Sequence, residues 1–171
     1  MTAASSAASE LGTRDCCVRL AQLLTLRGWM MASAESCTGG LIAAACTDLA
    51  GSSEWFERGF VTYSNAAKTE LLGVDEQLIE QHGAVSEPVA NAMALGAVLH
   101  SRAEVAVAVT GIAGPSGGAP DKPVGTVWFG WSVQGVVHTE MQIYSGDRAA
   151  VRAAAVQHAL HRMTTLLDPA P

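Results

Sequence analysis

The chain has 171 residues, of which 49% are hydrophobic and 15% charged, and its 10 basic and 16 acidic side chains give a net charge of −6. This length suits one domain, and the hydrophobic share excludes disorder for most of the chain. The acidic balance argues against a general nucleic-acid binder, which needs a basic face. No apolar run approaches the roughly 18 residues of a membrane-spanning helix. We therefore expect one globular domain with neither a nucleic-acid nor a membrane partner.

The N-terminus, MTAASSAASE, lacks the basic start and apolar stretch of a secretory signal. We expect a disordered tail over residues 1–10, followed by a domain over residues 11–168. Without an export signal or a CxxC pattern, the cysteines are expected to be reduced thiols in the cytoplasm. These are Cys16, Cys17, Cys37 and Cys46.

Two further predictions concern metals and assembly. His158 and His161 lie three residues apart, but no third ligand accompanies them, so we expect no metal and no cofactor. The low charged fraction, together with Trp55, Phe56 and Trp131, favours a homo-oligomer, most simply a two-fold dimer. Core packing is the alternative role of these three aromatic residues.

In chain order, hydrophobic periodicity and turn signals alternate helices with strands. The segment 103–110 is an unbroken Ala/Val run, typical of a strand that is covered on both faces. Ser64, Asp147 and Ser86 are predicted to begin helices, and Gln134-Gly135 to form a hairpin turn. The fold class is therefore α/β: a three-layer α/β/α single domain on a mixed sheet of about five strands. Predicted helices cover 13–27, 41–49, 65–72, 75–82, a longer stretch after Ser86, and 148–167; predicted strands cover 29–35, 57–63, 103–110, 124–133 and 136–144.

The first candidate for chemistry is the turn after the first predicted strand, residues 34–40 with the sequence AESCTGG. A helix start offers free N–H groups and a partial positive charge, which suit an oxyanion or a phosphate. Ser36 lies at the carboxyl end of the strand, where ligands of open α/β sheets bind. We expect Thr38, Gly39 and Gly40 to contact the substrate. A simple helix cap by Ser36 and Thr38 is the alternative.

The second candidate is the segment 63–68, YSNAAK, which follows another predicted strand. Tyr63 closes that strand, and Lys68 lies one turn into the next helix. Both side chains can therefore reach the same sheet edge as Ser36. A desolvated lysine can accept the proton of a serine nucleophile, and no histidine lies in these turns. A solvated lysine and a half-buried tyrosine are the alternative.

The third candidate is the glycine-rich segment 109–118, VTGIAGPSGG, which follows the buried Ala/Val strand. Such a loop can bring backbone N–H groups close to a ligand at Thr110 and Gly111, although it lacks P-loop spacing. A flexible surface loop is the alternative. Cys37 is a rival nucleophile, since a helix N-terminus can lower a thiol pKa. It can equally be a small buried hydrophobe.

Six segments occur together in the order 34–40 (AESCTGG), 59–65 (GFVTYSN) with Lys68, 83–87 (GAVSE), 109–115 (VTGIAGP), 122–127 (KPVGTV) and 146–148 (GDR). With these motifs the chain resembles the CinA C-terminal domain family, over about residues 11–167, in its stand-alone form. The resemblance implies hydrolysis of the carboxamide of nicotinamide mononucleotide (NMN) to nicotinic acid mononucleotide and ammonia. It also implies that Ser36 is the nucleophile, Lys68 the base, Tyr63 an assisting group and Thr110 a residue of the site.

The residues leave several points open. We expect the N–H groups from Thr38 to Gly40 to stabilise the oxyanion. The substrate phosphate is expected to bind main-chain N–H groups, Lys122 or Arg148, and the sequence does not choose among them. Two rival functions are a Cys37-dependent amidase and a non-catalytic nucleotide-binding regulatory module.

Overall fold

The computed structural model describes residues 12–168, so the predicted tail over residues 1–10 lies outside the described part of the chain. The described residues form six α-helices and five strands, with a short 3₁₀ helix at Ser52–Glu54. The helices are α1 (Thr13–Arg27), α2 (Leu41–Thr47), α3 (Asn65–Leu72), α4 (Glu76–His82), α5 (Glu87–Leu99) and α6 (Arg148–Leu167). The strands are β1 (Met31–Glu35), β2 (Phe56–Val61), β3 (Val105–Gly111), β4 (Thr126–Val133) and β5 (Val136–Ile143).

The five strands form one mixed sheet in the order β2-β1-β3-β4-β5. β1 pairs in parallel with β2 and β3, so that Glu35 lies opposite Val61 on one side and Val109 on the other. β4 and β5 add an antiparallel hairpin. The carboxyl ends of three neighbouring strands therefore meet at one sheet edge, and the segments that follow them begin close together.

Helices cover both faces of the sheet. On one face, α1, α2 and α6 share a buried cluster with the β3 residues Val105, Val107 and Val109, and α6 packs directly on this strand. On the other face, α3, α4 and α5 share a second cluster with the alternate β3 residues Ala106 and Ala108, and α5 packs directly on the strand. The prediction of an α/β domain with a strand covered on both faces is confirmed, as is the mixed sheet of five strands.

Most predicted boundaries lie within two or three residues of the observed ones. Ser64 and Asp147 begin helices as predicted, because each side chain accepts an N–H of the following turn. The first strand begins later than predicted, since the N–H of Trp29 still closes α1 by bonding to the carbonyl of Leu24. Ser86 precedes α5, but its hydroxyl donates to the carbonyl of Gly83 (2.7 Å) and accepts no helix N–H.

The aromatic residues on which we based the prediction of an oligomer lie mainly in the core. Trp55 and Trp131 are buried, and the indole N–H of Trp131 donates to the carbonyl of Ala159 at 2.9 Å. Phe56 is half-buried and packs against the same cluster. Using the two tryptophans as interface residues was therefore wrong, because both side chains lie inside the core of the chain itself.

Two features of the described residues bear on partners. Within 12–168, no helix combines the length and apolar character that crossing a bilayer requires. The same stretch brings no three His, Cys, Asp or Glu side chains together in a way that could hold a metal ion. All four cysteines are buried free thiols.

Candidate active site

A cavity of about 250 Å³ opens at the carboxyl edge of β1, β2 and β3. This volume lies just below the range of small-molecule sites, which begins at about 300 Å³. Six of the residues predicted from the sequence line the cavity, whereas Thr38, Gly39, Gly40 and Lys122 do not. The six are Ser36, Tyr63, Lys68, Thr110, Gly111 and Arg148.

Ser36 and Lys68 form a direct contact at the base of this cavity. The Lys68 Nζ lies 3.1 Å from the Ser36 Oγ and 2.9 Å from the carbonyl oxygen of Thr62. Ser64 positions the lysine, because its hydroxyl accepts the N–H of Ala67 (3.0 Å) and starts α3 one turn before Lys68. The predicted convergence of two sequence-distant segments on one edge is thus seen in the structure.

Lys68 is only 1% exposed. Burial lowers its pKa from the ordinary value of 10.5, while the nearby thiol of Cys37 acts in the opposite direction. A lowered pKa increases the fraction of neutral amine at a given pH. A neutral amine can donate to the Thr62 carbonyl and accept the Ser36 proton at its lone pair, which is the arrangement of an activated nucleophile and its base.

Glu35, which sequence reasoning did not single out, is fully buried directly before Ser36. Its carboxylate accepts N–H groups at the N-terminus of α2. A side chain of the protein therefore occupies the anion site that we predicted at this turn. This overturns the expectation that the N–H of Gly40 faces a substrate. The sequence signal that could have identified Glu35 is an acidic residue at the end of an otherwise uncharged buried strand. The groups that donate to Glu35 are Ser33 Oγ (3.1 Å), Thr38 Oγ1 (2.7 Å), Gly40 N (3.0 Å), Ile42 N (3.0 Å) and Ala43 N (2.9 Å).

Two other main-chain donors of the turn are occupied within the protein. The N–H of Ser36 donates to Val109 (2.9 Å), and that of Gly39 donates to the carbonyl of Ser36 (3.0 Å). The N–H of Thr38 donates to no acceptor among residues 12–168, and that of Cys37 bonds only to the thiol of its own residue. The available donors are therefore those of Cys37 and Thr38, rather than the predicted Thr38, Gly39 and Gly40.

Arg152, on α6, holds the outer side of the same turn. Its Nε donates to the carbonyl of Cys37 at 3.1 Å, and its Nη2 donates to the carbonyl of Thr38 at 3.2 Å. No local pattern in the sequence distinguishes this arginine from the others on α6, so sequence reasoning missed it.

Cys37 lines the cavity but is only 6% exposed. Burial raises the pKa of its thiol to about 11, although the charge of Arg152 opposes this effect. The thiol packs closely on Gly111, where an added Cβ would lie 3.1 Å from the Cys37 Sγ and 2.8 Å from a methyl of Val127. Cys37 is consequently an uncharged residue of the cavity wall at neutral pH. The close packing of its thiol requires a glycine at position 111.

The rim of the cavity carries Tyr63 and Arg148, both exposed. Arg148 donates from Nη2 to the hydroxyl of Tyr63 and from Nη1 to the carbonyl of Gly114, each at 2.9 Å. It thereby joins the end of β2 to the glycine-rich loop. The hydroxyl of Tyr63 is thus engaged by Arg148 at the rim, not by Lys68 at the base.

Two other predicted residues, Thr110 and Lys122, each donate to a main-chain carbonyl. Thr110 donates from Oγ1 to the carbonyl of Ala84 at 2.9 Å. Lys122 donates from Nζ to the carbonyl of His82 at 3.0 Å, at the end of α4. Lys122 is therefore committed to the protein outside the cavity, and of the two predicted cations only Arg148 reaches the cavity.

The chain is similar to known proteins over most of its length. The CinA C-terminal domain model matches residues 14–167. The nicotinamide-nucleotide amidohydrolase PncC of Enterobacter agglomerans is 58% identical over 153 residues, covering 89% of this chain and 93% of the relative. The PncC of Escherichia coli K12 is 53% identical over 146 residues, covering 85% and 88%.

Solved structures show the same fold. The crystal structure of the competence damage-inducible protein A (ComA) from Klebsiella pneumoniae superposes with a TM-score of 0.89 at 37% identity. The superposition covers 94% of this chain and 100% of the other. The sequence motifs, the family model and the shared fold agree, and the chain belongs to the CinA C-terminal domain family.

Proposed function

We propose that this chain hydrolyses the carboxamide of NMN to nicotinic acid mononucleotide and ammonia. The observation that carries the proposal is the buried contact of Lys68 Nζ with Ser36 Oγ at 3.1 Å, inside a cavity at the sheet edge. The names of the PncC relatives supply the substrate.

In the first half-reaction, neutral Lys68 takes the proton of Ser36 as Oγ attacks the carboxamide carbon. The N–H groups of Cys37 and Thr38 stabilise the oxyanion of the tetrahedral intermediate; losing one such donor costs roughly 100- to 1,000-fold in kcat. The lysinium then protonates the leaving nitrogen. The C–N bond breaks, ammonia departs, and an ester of Ser36 remains.

In the second half-reaction, water replaces ammonia. Lys68, neutral again, takes a proton from the water as its oxygen attacks the ester carbon. The intermediate collapses with return of the proton to the Ser36 Oγ, which releases nicotinic acid mononucleotide and restores the resting pair. The raised pKa of Cys37 opposes the rival thiol mechanism, because the thiol stays protonated.

Arg148 is the proposed partner of the substrate phosphate. A guanidinium has five N–H donors, and the observed contacts to Gly114 and Tyr63 leave donors free to bind an anion. In this scheme Tyr63 orients Arg148. Thr110 stabilises the cavity wall by its bond to the carbonyl of Ala84, and Lys122 stabilises the fold by its bond to the carbonyl of His82.

We propose a cytoplasmic homo-oligomer, most simply a dimer. Exposed apolar side chains of three elements support it in place of the buried tryptophans: Leu26 on α1, Leu99 on α5 and Ile143 on β5. Light scattering at micromolar concentration tests this proposal, and a monomeric mass contradicts it.

The test of the function is ammonia release from NMN by the wild-type chain, measured beside Ser36→Ala and Lys68→Arg. We expect turnover by the wild type alone. Binding of NMN without ammonia release by the wild type would instead identify a regulatory nucleotide-binding module.

A further inference from the structure

Thr38 is fully buried and is held from two sides. Its hydroxyl donates to the Glu35 carboxylate at 2.7 Å, and its carbonyl accepts from Arg152 Nη2 at 3.2 Å. The same guanidinium donates from Nε to the carbonyl of Cys37 at 3.1 Å. A cation of the last helix therefore holds two consecutive carbonyl groups of the turn that carries the nucleophile.

The carbonyl of Cys37 and the N–H of Thr38 belong to one peptide unit. In a planar trans peptide these two groups point in opposite directions. Because Arg152 holds the carbonyl toward α6, the N–H of Thr38 points away from that helix. This N–H donates to no acceptor among residues 12–168, although buried donors nearly always have a partner.

We propose that Arg152 is a positioning residue that orients the Thr38 peptide, so that its N–H binds the oxyanion of the transition state. This inference rests on the function proposed above. Arg152 touches neither the substrate nor the reacting atoms and acts through the main chain of the turn.

Charge adds to orientation in this arrangement. A hydrogen bond from a guanidinium to a carbonyl is charge-assisted, and it polarises the peptide so that the N–H of the same unit becomes a stronger donor. The charge of Arg152 also reaches the site, because it lowers the pKa of the Cys37 thiol against the larger, opposing effect of burial.

The remaining contacts of the turn do not depend on Arg152. Glu35 still holds the start of α2, Val109 still accepts the N–H of Ser36, and Lys68 still contacts Ser36. Loss of the guanidinium should therefore leave the nucleophile and its base in place while removing the donor that orients the carbonyl of Cys37, and with it the N–H of Thr38. Such a loss lowers kcat without weakening substrate binding in the ground state.

The experiment compares Arg152→Met with Arg162→Met. Arg162 lies on the same helix, contacts Glu140 and serves as the matched control. We expect Arg152→Met to lower kcat for NMN about 10- to 100-fold, less than deletion of a donor itself. KM should change by less than about twofold and the pH profile should be unchanged. Arg152→Lys should give an intermediate kcat, because an ammonium cannot reproduce the guanidinium fork.

A kcat of Arg152→Met equal to that of Arg162→Met overturns the inference while the proposed function stands. A fall in kcat with a proportionate rise in KM, or with a shifted pH profile, also overturns it, since the base or the substrate site has then moved. If Arg152→Met does not fold, Arg152→Lys decides: reduced kcat at constant KM supports the role, and wild-type kcat contradicts it. Absence of ammonia release by the wild type overturns the proposed function and this inference together.

Discussion

The base of the cavity and its rim are built differently. At the base, Ser36 and Lys68 are 9% and 1% exposed and contact each other and their neighbours through defined hydrogen bonds. At the rim, Tyr63 is 60% exposed and Arg148 retains unused donors. The base is fixed before any substrate arrives, which suits groups that stabilise a transition state. The rim can still rearrange around a ligand.

This difference separates two kinds of effect. Substitutions at the base should lower kcat, because those groups act on the reacting bonds. Substitutions at the rim should mainly raise KM, because those groups hold the remote part of the substrate. A substitution at the base that raises KM alone, or one at the rim that lowers kcat, would contradict this separation.

The largest effect is expected from Ser36→Ala. Removing the nucleophile should lower kcat at least about 1,000-fold. The fold should persist, because Lys68 still donates to the carbonyl of Thr62. Ammonia release measures the rate, and thermal unfolding checks the fold. Cys37→Ala is the matched control and should keep most activity, since its thiol pKa is about 11. Inactivity of Cys37→Ala with normal thermal stability would instead assign the nucleophile to the thiol.

Lys68→Arg should be about as inactive as Lys68→Ala. Arginine keeps the positive charge but cannot accept a proton near neutral pH, because its guanidinium stays protonated in proteins. Steady-state kinetics of both variants give kcat and KM. A Lys68→Arg enzyme with near-normal kcat and raised KM would show that Lys68 binds the phosphate. It would also exclude Lys68 as the general base of the reaction.

The pH profile sharpens this test. A base must be neutral to act, so kcat/KM should rise with pH through the Lys68 pKa, which burial lowers from 10.5. The slope below that pKa is about tenfold per pH unit for one proton. A wild-type profile that falls over this range would contradict a neutral lysine base.

The convergence of Ser36 and Lys68 could be predicted from the sequence because it follows from local rules. Parallel strands place their carboxyl ends at one edge, and strand-turn-helix signals locate Ser36 and Lys68 just beyond two such ends. The cap at Ser64 sets where α3 begins, and therefore the direction of Lys68, by a contact between residues only three positions apart in the sequence. These features need no knowledge of the rest of the fold.

Residues whose roles depend on distant packing could not be predicted in this way. Arg152 meets the turn across 115 residues of sequence, and Lys122 meets His82 across 40. Trp131 is buried because α6 crosses its strand, which its own sequence neighbours do not indicate. A local pattern shows that a cation or an aromatic is present, whereas the tertiary fold decides what it contacts.

At the rim, Arg148→Met should raise KM for NMN about 10- to 100-fold, the range expected when a charge-assisted contact is lost. The kcat should change by less than about threefold, because Arg148 touches Gly114 and Tyr63 rather than Ser36. Free nicotinamide, which lacks the phosphate, should be a poor wild-type substrate. Its kcat/KM should be nearly insensitive to Arg148→Met. An equal loss of kcat/KM for both compounds would instead show that Arg148 takes part in the chemical step at the base of the cavity.

The smallest effect is expected from Tyr63→Phe, which also decides between two roles of this tyrosine. Its hydroxyl accepts one bond from Arg148, whose second bond to Gly114 remains in the variant. Loss of one such bond is worth about 0.5–1.5 kcal/mol, so KM for NMN should rise about two- to tenfold at nearly constant kcat. If Tyr63 instead assists Lys68, Tyr63→Phe lowers kcat and moves the rising limb of the pH profile. Kinetics of the single variant and of Tyr63→Phe combined with Arg148→Met separate these cases. If Tyr63 only orients Arg148, Tyr63→Phe should change KM little in the Arg148→Met background, because the tyrosine acts only through that arginine. If Tyr63 assists Lys68, Tyr63→Phe should lower kcat equally in both backgrounds.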